Sequence, residues 1–309
     1  MKISLYTITL NGGYYDGPPV PLLDIFPLAK KWGYDGIEIE AKRPHGSPLD
    51  LNAAVRDRIR KTAADNGLEI SCVAAYNDYS HVIDEHRENE LVMTREQIRL
   101  AADLGAPIVR VFAVWSGVTR REGRITYDVA RHKLDSRYGG VLAIERWWFV
   151  RDCLREAAKM AEDAGVTLAL QNHSPIITYY RHMLDFIHEV DSPALKACLD
   201  APLMRTHTEE HYREALESTG KLMVHTHFGG RYEEKPDGTV VRWVQPRYRD
   251  GSDMHLFMKL AKQIVNFQGH AGYELCSPVF INHDRVGLDY AKDQARLAAK
   301  FMRQIIDSI

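Results

Sequence analysis

Six residues that close successive segments of the chain carry the chemistry of a ligand or a proton carrier: Gln171, His173, Asp200, His225, His227 and Glu274. Two carboxylates, an amide oxygen and an imidazole (Asp200, Glu274, Gln171 and His227) suit a hard or borderline divalent ion and suit a thiophilic one poorly. Mn²⁺ is the first expectation for that cofactor, with Mg²⁺, Co²⁺ or Zn²⁺ as alternatives. His173 has a side chain that titrates near neutrality and so can serve as a general base, with Glu274 as its partner acid. Glu38, Glu40, Arg110, His225 and Trp115 form the expected substrate-binding group. Each has a plainer use: a single inward carboxylate can serve a loop backbone, Glu38 and Glu40 can close a polar layer with Arg110, and His225 can support His227 from behind. Convergence of four potential ligands in one place favours the metal reading.

That convergence depends on the elements beneath the residues. Val166 to His173 alternates with period two, sending Val166, Leu168 and Leu170 one way and Thr167, Ala169, Gln171 and His173 the other. A helical segment precedes it and stops at Gly165. The same order of helix, glycine and strand recurs at Gly33, Gly67, Gly105, Gly220 and Gly269. Strands are expected at 2–10, 36–40, 68–73, 108–112, 166–173, 195–200, 222–227 and 271–275. Helices are expected near 21–32, 49–66, 84–104, 147–164, 178–190, 207–219, 253–267 and 285–308. Eightfold alternation of this kind is the mark of an α/β (β/α)8 TIM barrel, here a single domain over 1–309. Its strands five to eight then end on Gln171, Asp200, His227 and Glu274. The connections 115–146 and 229–252 are long, leave C-terminal strand ends, and are expected over that face. Pro236-Asp237-Gly238 predicts a hairpin in the second. Both connections are equally suited to covering an active site or to contacting another subunit. Trp115, Tyr232, Trp243 and Tyr248 within them can stack on a sugar or aglycone, or meet a partner chain.

Composition narrows the class. Net charge is −2 over 309 residues, which argues against affinity for nucleic acid through a basic face. The four cysteines form no CxxC and read as thiols in a reducing compartment. No apolar run approaches the ~20 residues that span a bilayer, and Met1-Lys2-Ile3-Ser4-Leu5 enters a strand without a signal-peptide pattern. A cytoplasmic protein without membrane or nucleic-acid partners is expected.

Beyond these physical readings, the chain resembles the xylose isomerase-like TIM-barrel superfamily, the sugar phosphate isomerase/epimerase group. The resemblance runs over nearly the whole chain through Trp32-Gly33-Tyr34-Asp35-Gly36-Ile37-Glu38, Ala102-Asp103-Leu104-Gly105-Ala106, Leu168-Ala169-Leu170-Gln171-Asn172-His173, Cys198-Leu199-Asp200, His225-Thr226-His227 and Tyr273-Glu274. It implies one divalent metal on strands five to eight, with Asp200, His227 and Glu274 at three of the four ligand positions. Gln171 stands where the family has a glutamate, and Leu203 where many members have histidine. A glutamine can ligate through its carbonyl oxygen but cannot carry a proton, so the family's paired-glutamate exchange is unavailable in its usual form and His173 is the substitute. Gln-Asn-His also resembles the catalytic subunits of C-glycoside deglycosidases, which act on 3-keto-glycosides. The expected activity is therefore proton abstraction beside the carbonyl of a sugar or 3-keto-sugar, leading to deglycosidase or lyase elimination. Isomerisation or epimerisation is the alternative, and a non-catalytic sugar-binding barrel or an endonuclease IV-like hydrolase are lesser ones. The expected partners are a small sugar or keto-glycoside, with a homodimer or a small second subunit possible in the assembly.

Overall fold

The computed structural model describes residues 1–127, 140–243 and 251–309. Eight parallel strands close into a barrel: β1 (Lys2–Tyr6), β2 (Gly36–Glu40), β3 (Glu69–Ala74), β4 (Ile108–Val111), β5 (Thr167–Gln171), β6 (Leu195–Cys198), β7 (Met223–Gly229) and β8 (His270–Glu274). Closure comes from β1, which pairs with both β8 (Ser4 opposite Gly272) and β2 (Ser4 opposite Gly36). Helices α1 (Leu22–Trp32), α2 (Ala53–Asp65), α3 (Asp84–Leu104), α4 (Ala143–Ala164), α5 (Tyr180–Val190), α6 (Glu209–Thr219), α7 (Met254–Val265) and α8 (Leu288–Ser308) follow the strands in turn. The expected (β/α)8 architecture is the observed one. Among the described residues no helix is long and apolar enough to cross a membrane.

The core lies between the two layers. Val109, Val111, Leu168 and Leu170 are fully buried towards the helices, and α8 buries Leu297, Ala298, Met302 and Ile305 at helical spacing where it lies against β1 and β8. Burying one such large side chain stabilises the fold by about 1.5–3 kcal/mol. Gly165 ends α4 with φ +66°, the left-handed cap that places β5 directly after the helix.

Several element ends differ from the sequence expectation, each for a local reason. The first strand stops at Tyr6, and Thr7–Leu10 forms a 3₁₀ turn. The hydroxyls of Thr7 and Thr9 accept the backbone N–H of Glu40 and Leu275 there, so tertiary bonds override the β-branched pattern. Helix α2 begins at Ala53, not 49, because Asn52 caps it by accepting the Val55 N–H. Helix α7 ends on the left-handed Asn266, ahead of Gly269.

Both long connections contain hairpins. Thr119–Arg121 pairs with Arg124–Thr126, and Ile125 packs into the space over Gly13. The expected hairpin at Pro236-Asp237-Gly238 joins Arg231–Glu234 to Val240–Trp243. It docks on α8, where the Gln294 amide bonds the Tyr232 backbone in both directions (2.7 and 3.1 Å) and Gln304 does the same for Val240. Tyr232 is buried in that dock and is not free to stack on a ligand. Tyr248 lies outside the described residues.

Candidate active site

At the C-terminal mouth of the barrel a cavity of about 360 Å³ is lined by Gln171, His173, Glu274, Arg110 and Trp115 together with Tyr6, Tyr76, Phe112, Leu203 and Cys276. Its polar floor is built by β5 to β7. The imidazole Nδ1 of His227 lies 3.0 Å from Asp200 Oδ2 and 3.4 Å from Gln171 Nε2, and that amide also reaches Asp200 Oδ2. Asp200 Oδ1 accepts the His227 backbone N–H at 2.7 Å. Gln171 Oε1 is buried with no hydrogen-bond partner. An orphaned buried carbonyl is costly unless something electropositive meets it.

Behind His227, its Nε2 lies 3.0 and 3.1 Å from the two oxygens of Glu38, and His225 Nε2 lies 2.9 Å from the same carboxylate. A carboxylate placed like Glu38 fixes the direction of an imidazole in the way the outer support of a metal-binding histidine does. The Glu38–His227 contact requires Gly272 on β8: a Cβ there would sit 2.8 Å from Glu38 Oε2 and 3.0 Å from the His227 ring. Burial pushes the Glu38 carboxyl up, but the two imidazoles outweigh it and hold it well below the ordinary range. Asp200 is likewise raised by burial and then brought below its ordinary value by His227 and Gln171. Burial pushes His227 down, and Glu38 and Asp200 more than reverse this, leaving it well above its usual value.

Among the described residues two groups have potential ligand atoms within 4.8 Å of one another: Glu38, His225 and His227, and Cys198, Asp200 and His227. The first is sealed in the barrel, with both imidazoles already bonded to Glu38. The second abuts Gln171 at the cavity. Burial and the neighbouring Asp200 push the Cys198 thiol up, which makes it a donor to Asp200 Oδ1 (3.3 Å) and not a thiolate ligand. Oxygen and imidazole donors from Gln171, Asp200 and His227 therefore fit a divalent ion. Glu274 stands at the same cavity without a direct contact to the three. Burial raises its carboxyl, and Asp200 adds to the shift against the opposing pull of His227.

His173 is on the cavity wall, though not on the strand. β5 ends at Gln171, and the chain turns so that the His173 N–H bonds the Gln171 carbonyl at 2.7 Å. Its Nδ1 is 2.5 Å from the Ser174 carbonyl. A carbonyl can only accept, so Nδ1 carries the proton and Nε2 keeps a lone pair. Burial lowers the pKa of the ring, with the Ser174 carbonyl opposing and Arg110 adding to the shift, which favours the neutral base. Phe112 and Trp115 hold the ring edge-on at 4.9 and 5.6 Å.

Part of the cavity wall is a directed hydrogen-bond chain. Arg110 Nη2 donates to the Tyr6 hydroxyl (2.9 Å), Tyr6 and Tyr76 share a 2.5 Å bond, and Tyr76 donates to Glu40 Oε1 (3.1 Å). Because the carboxylate only accepts, Tyr76 spends its proton there and Tyr6 donates to Tyr76. Burial pushes both phenols far above their usual range, so both are neutral.

Of the expected substrate-binding group, Arg110 and Trp115 reach the cavity. Glu38, Glu40 and His225 do not. Glu38 and His225 are fully buried beneath His227, and Glu40 is fully buried and held by Asn11 and Tyr76. Sequence reading missed Tyr6, although it ends β1 on the inward row, and missed Tyr76 and Cys276, which lie just past strand ends where alternation gives no direction. It also missed Asn172, whose amide bonds both backbone groups of Asp200 (2.8 and 3.1 Å).

Comparison with known proteins agrees with the fold. The family model for the xylose isomerase-like TIM barrel matches residues 26–305. The chain is 24% identical over 267 residues to 3-dehydro-D-guloside 4-epimerase of Escherichia coli (strain K12), covering 83% of this chain and 87% of that protein. It is 23% identical over 290 residues to fructoselysine 3-epimerase of Shigella flexneri, covering 90% and 93%. The solved apo structure of 3-keto-D-glucoside 4-epimerase from E. coli superposes with a TM-score of 0.69 at 20% identity, over 98% of this chain and 99% of that one.

Proposed function

The chain belongs to the xylose isomerase-like TIM-barrel family, and from that premise we propose that it is a divalent-metal-dependent epimerase of a keto-sugar. The relatives favour epimerisation over the elimination expected first from the sequence, since both curated ones are named as sugar epimerases. The observation that carries the reading is the neutral His173 with its free Nε2 facing the same cavity as Glu274 and the orphaned Gln171 carbonyl.

Gln171, Asp200, His227 and Glu274 would hold the ion, which when bound polarises the sugar carbonyl and a neighbouring hydroxyl and so acidifies the adjacent C–H. His173 Nε2 takes the proton from that carbon, and the C–H electron pair moves into the enediolate. Glu274, which reaches the cavity from the end of β8, would return a proton to the same carbon. One C–H bond breaks and one forms, and the two residues recover their starting protonation by exchange with solvent. Tyr6 and Arg110 line the same cavity and would orient hydroxyls. Trp115 and Phe112 keep water from the base. Elimination remains the competing outcome because Gln171 removes the second carboxylate of the usual exchange pair.

The test is incubation of the Mn²⁺-loaded protein in D₂O with 3-keto-glucose, its methyl glycoside and free ketohexoses, followed by NMR. Deuterium beside the carbonyl and a new epimer are expected, with rates lowered about 10²–10⁴-fold in His173→Ala. Release of methanol without an epimer would establish elimination in its place, and no exchange by the metal-loaded protein would end the enzymatic reading.

A further inference from the structure

A second cavity of about 640 Å³ opens beside the first, and Leu203, Glu274, Cys276 and Ser277 line both. Each volume falls within the roughly 300–1,000 Å³ of small-molecule sites. The two lobes differ in chemistry. The first holds the base, the metal-site amide and the phenol chain. The second is walled by Leu203, Trp243, Pro278, Val279 and Phe280. Leu203, Trp243 and Phe280 are 38%, 40% and 58% exposed, which is unusual for three large apolar side chains around one cavity. The indole is held in place: Arg231 lies 4.4 Å over its ring and is itself anchored on the Tyr290 hydroxyl at 2.7 Å. Trp243 is thus steadied by a guanidinium that lines the same lobe, and its indole is an aromatic surface of that lobe.

Resting on the epimerase reading above, we infer that the substrate is a glycoside and that the second lobe takes an aromatic aglycone while the sugar ring occupies the first. Continuity at Glu274 argues for one two-part ligand over two separate ones, because the group expected to move the proton stands at the junction of the lobes. Leu203 at that junction supplies apolar surface where a histidine would attract a hydroxyl. Arg231 and Arg242 also line this lobe but already bond Tyr290, Gly229 and Ser252, so the flat and apolar side chains of the wall favour an aryl group over a second sugar.

Matched pairs of methyl and phenyl 3-keto-glycosides, with several sugar configurations, are titrated by calorimetry into the Mn²⁺-loaded protein. The phenyl member of the accepted pair should bind about tenfold more tightly or better. Trp243→Ala and Phe280→Ala should each reduce that phenyl-to-methyl ratio, and Phe280→Trp should preserve it, with circular dichroism confirming that all fold. Equal affinity within every pair, or binding of neither member, overturns the inference. So does a concentration-dependent dimer that dissociates in the Trp243→Ala, Phe280→Ala double variant without any phenyl preference, since the patch then belongs to a second copy of the chain. Deuterium exchange on the methyl glycosides reads the epimerase proposal separately: exchange without phenyl preference removes the aglycone lobe alone, and phenyl preference without exchange removes the catalytic reading alone.

Discussion

At each mouth of the barrel a carboxylate grips histidine, and the two grips differ in what surrounds them. Near the C-terminal mouth Glu38 holds His225 and His227 with every side chain fully buried. At the N-terminal mouth Glu69 holds His270 (2.9 Å) and pairs with Lys2, but its side chain is about half exposed at 54%. Water screens the lower pair, and long surface side chains lose entropy to form it, so it adds little. The upper pair cannot exchange its partners for water, so loss of either member strands a charge in the interior. The same residue types serve as surface trim at one end and as the backing of a reactive site at the other.

Removing the upper carboxylate is the largest test of that contrast. Glu38→Ala should lower stability by about 3–5 kcal/mol in urea denaturation and weaken Mn²⁺ binding about 10–100-fold through a misdirected His227. A loss below about 1 kcal/mol would make the two mouths alike.

Acidity should separate them next. Glu38 and Asp200 are held below their ordinary values of 4.5 and 3.8, so they stabilise the fold above that range and cease to as pH falls through their depressed folded values. His227 is held above its ordinary 6.5, so its contribution is complete below 6.5 and is lost as pH rises through its elevated folded value. In the metal-free protein the three contributions therefore overlap between 4.5 and 6.5. Metal must displace the His227 proton, so affinity should climb with pH across the neutral range while metal-free thermal stability does not. Melts in chelator and Mn²⁺ calorimetry at several pH values check both, and a pH-independent affinity would contradict His227 as a ligand.

The smallest effect is expected at the lower mouth. Glu69→Gln should change stability by no more than about 1 kcal/mol and leave exchange kinetics unaltered. A large change would show that the lower pair supports the site through β8.

The barrel was legible in the sequence because strand and helix alternate eight times and a glycine marks the junction before six of the strands. The inward placement of Gln171, Asp200, His227 and Glu274 was legible for the same reason, since each lies at or within two residues of the end of an alternating strand. Alternation gives the face of a strand but not the depth within the barrel. Glu38 and Glu40 do point inward, yet Glu38 is sealed beneath His227 and Glu40 behind Asn11 and Tyr76, and nothing in Gly36-Ile37-Glu38-Ile39-Glu40 encodes that. His173 was found on the right wall by extending a strand two residues past its end, since the turn after Gln171 leaves no mark in residue type. The wall of Tyr6 and Tyr76 depends on contacts across 70 residues of sequence, which local pattern cannot convey.

Asn172 carries a consequence for redesign. Its side chain adds a rung between the ends of β5 and β6 beyond their last paired residues, Gln171 and Cys198. The residues on either side of it are Gln171 and His173, the proposed amide ligand and base, and the far end of the rung is Asp200. These three functional groups are therefore mounted on one bracket. Changing residue 171 to the family's glutamate would repel Asp200 and load that bracket, shifting the imidazole two residues away. Ligand set and base cannot be tuned as separate parts here, and a swap of one calls for re-seating of the other.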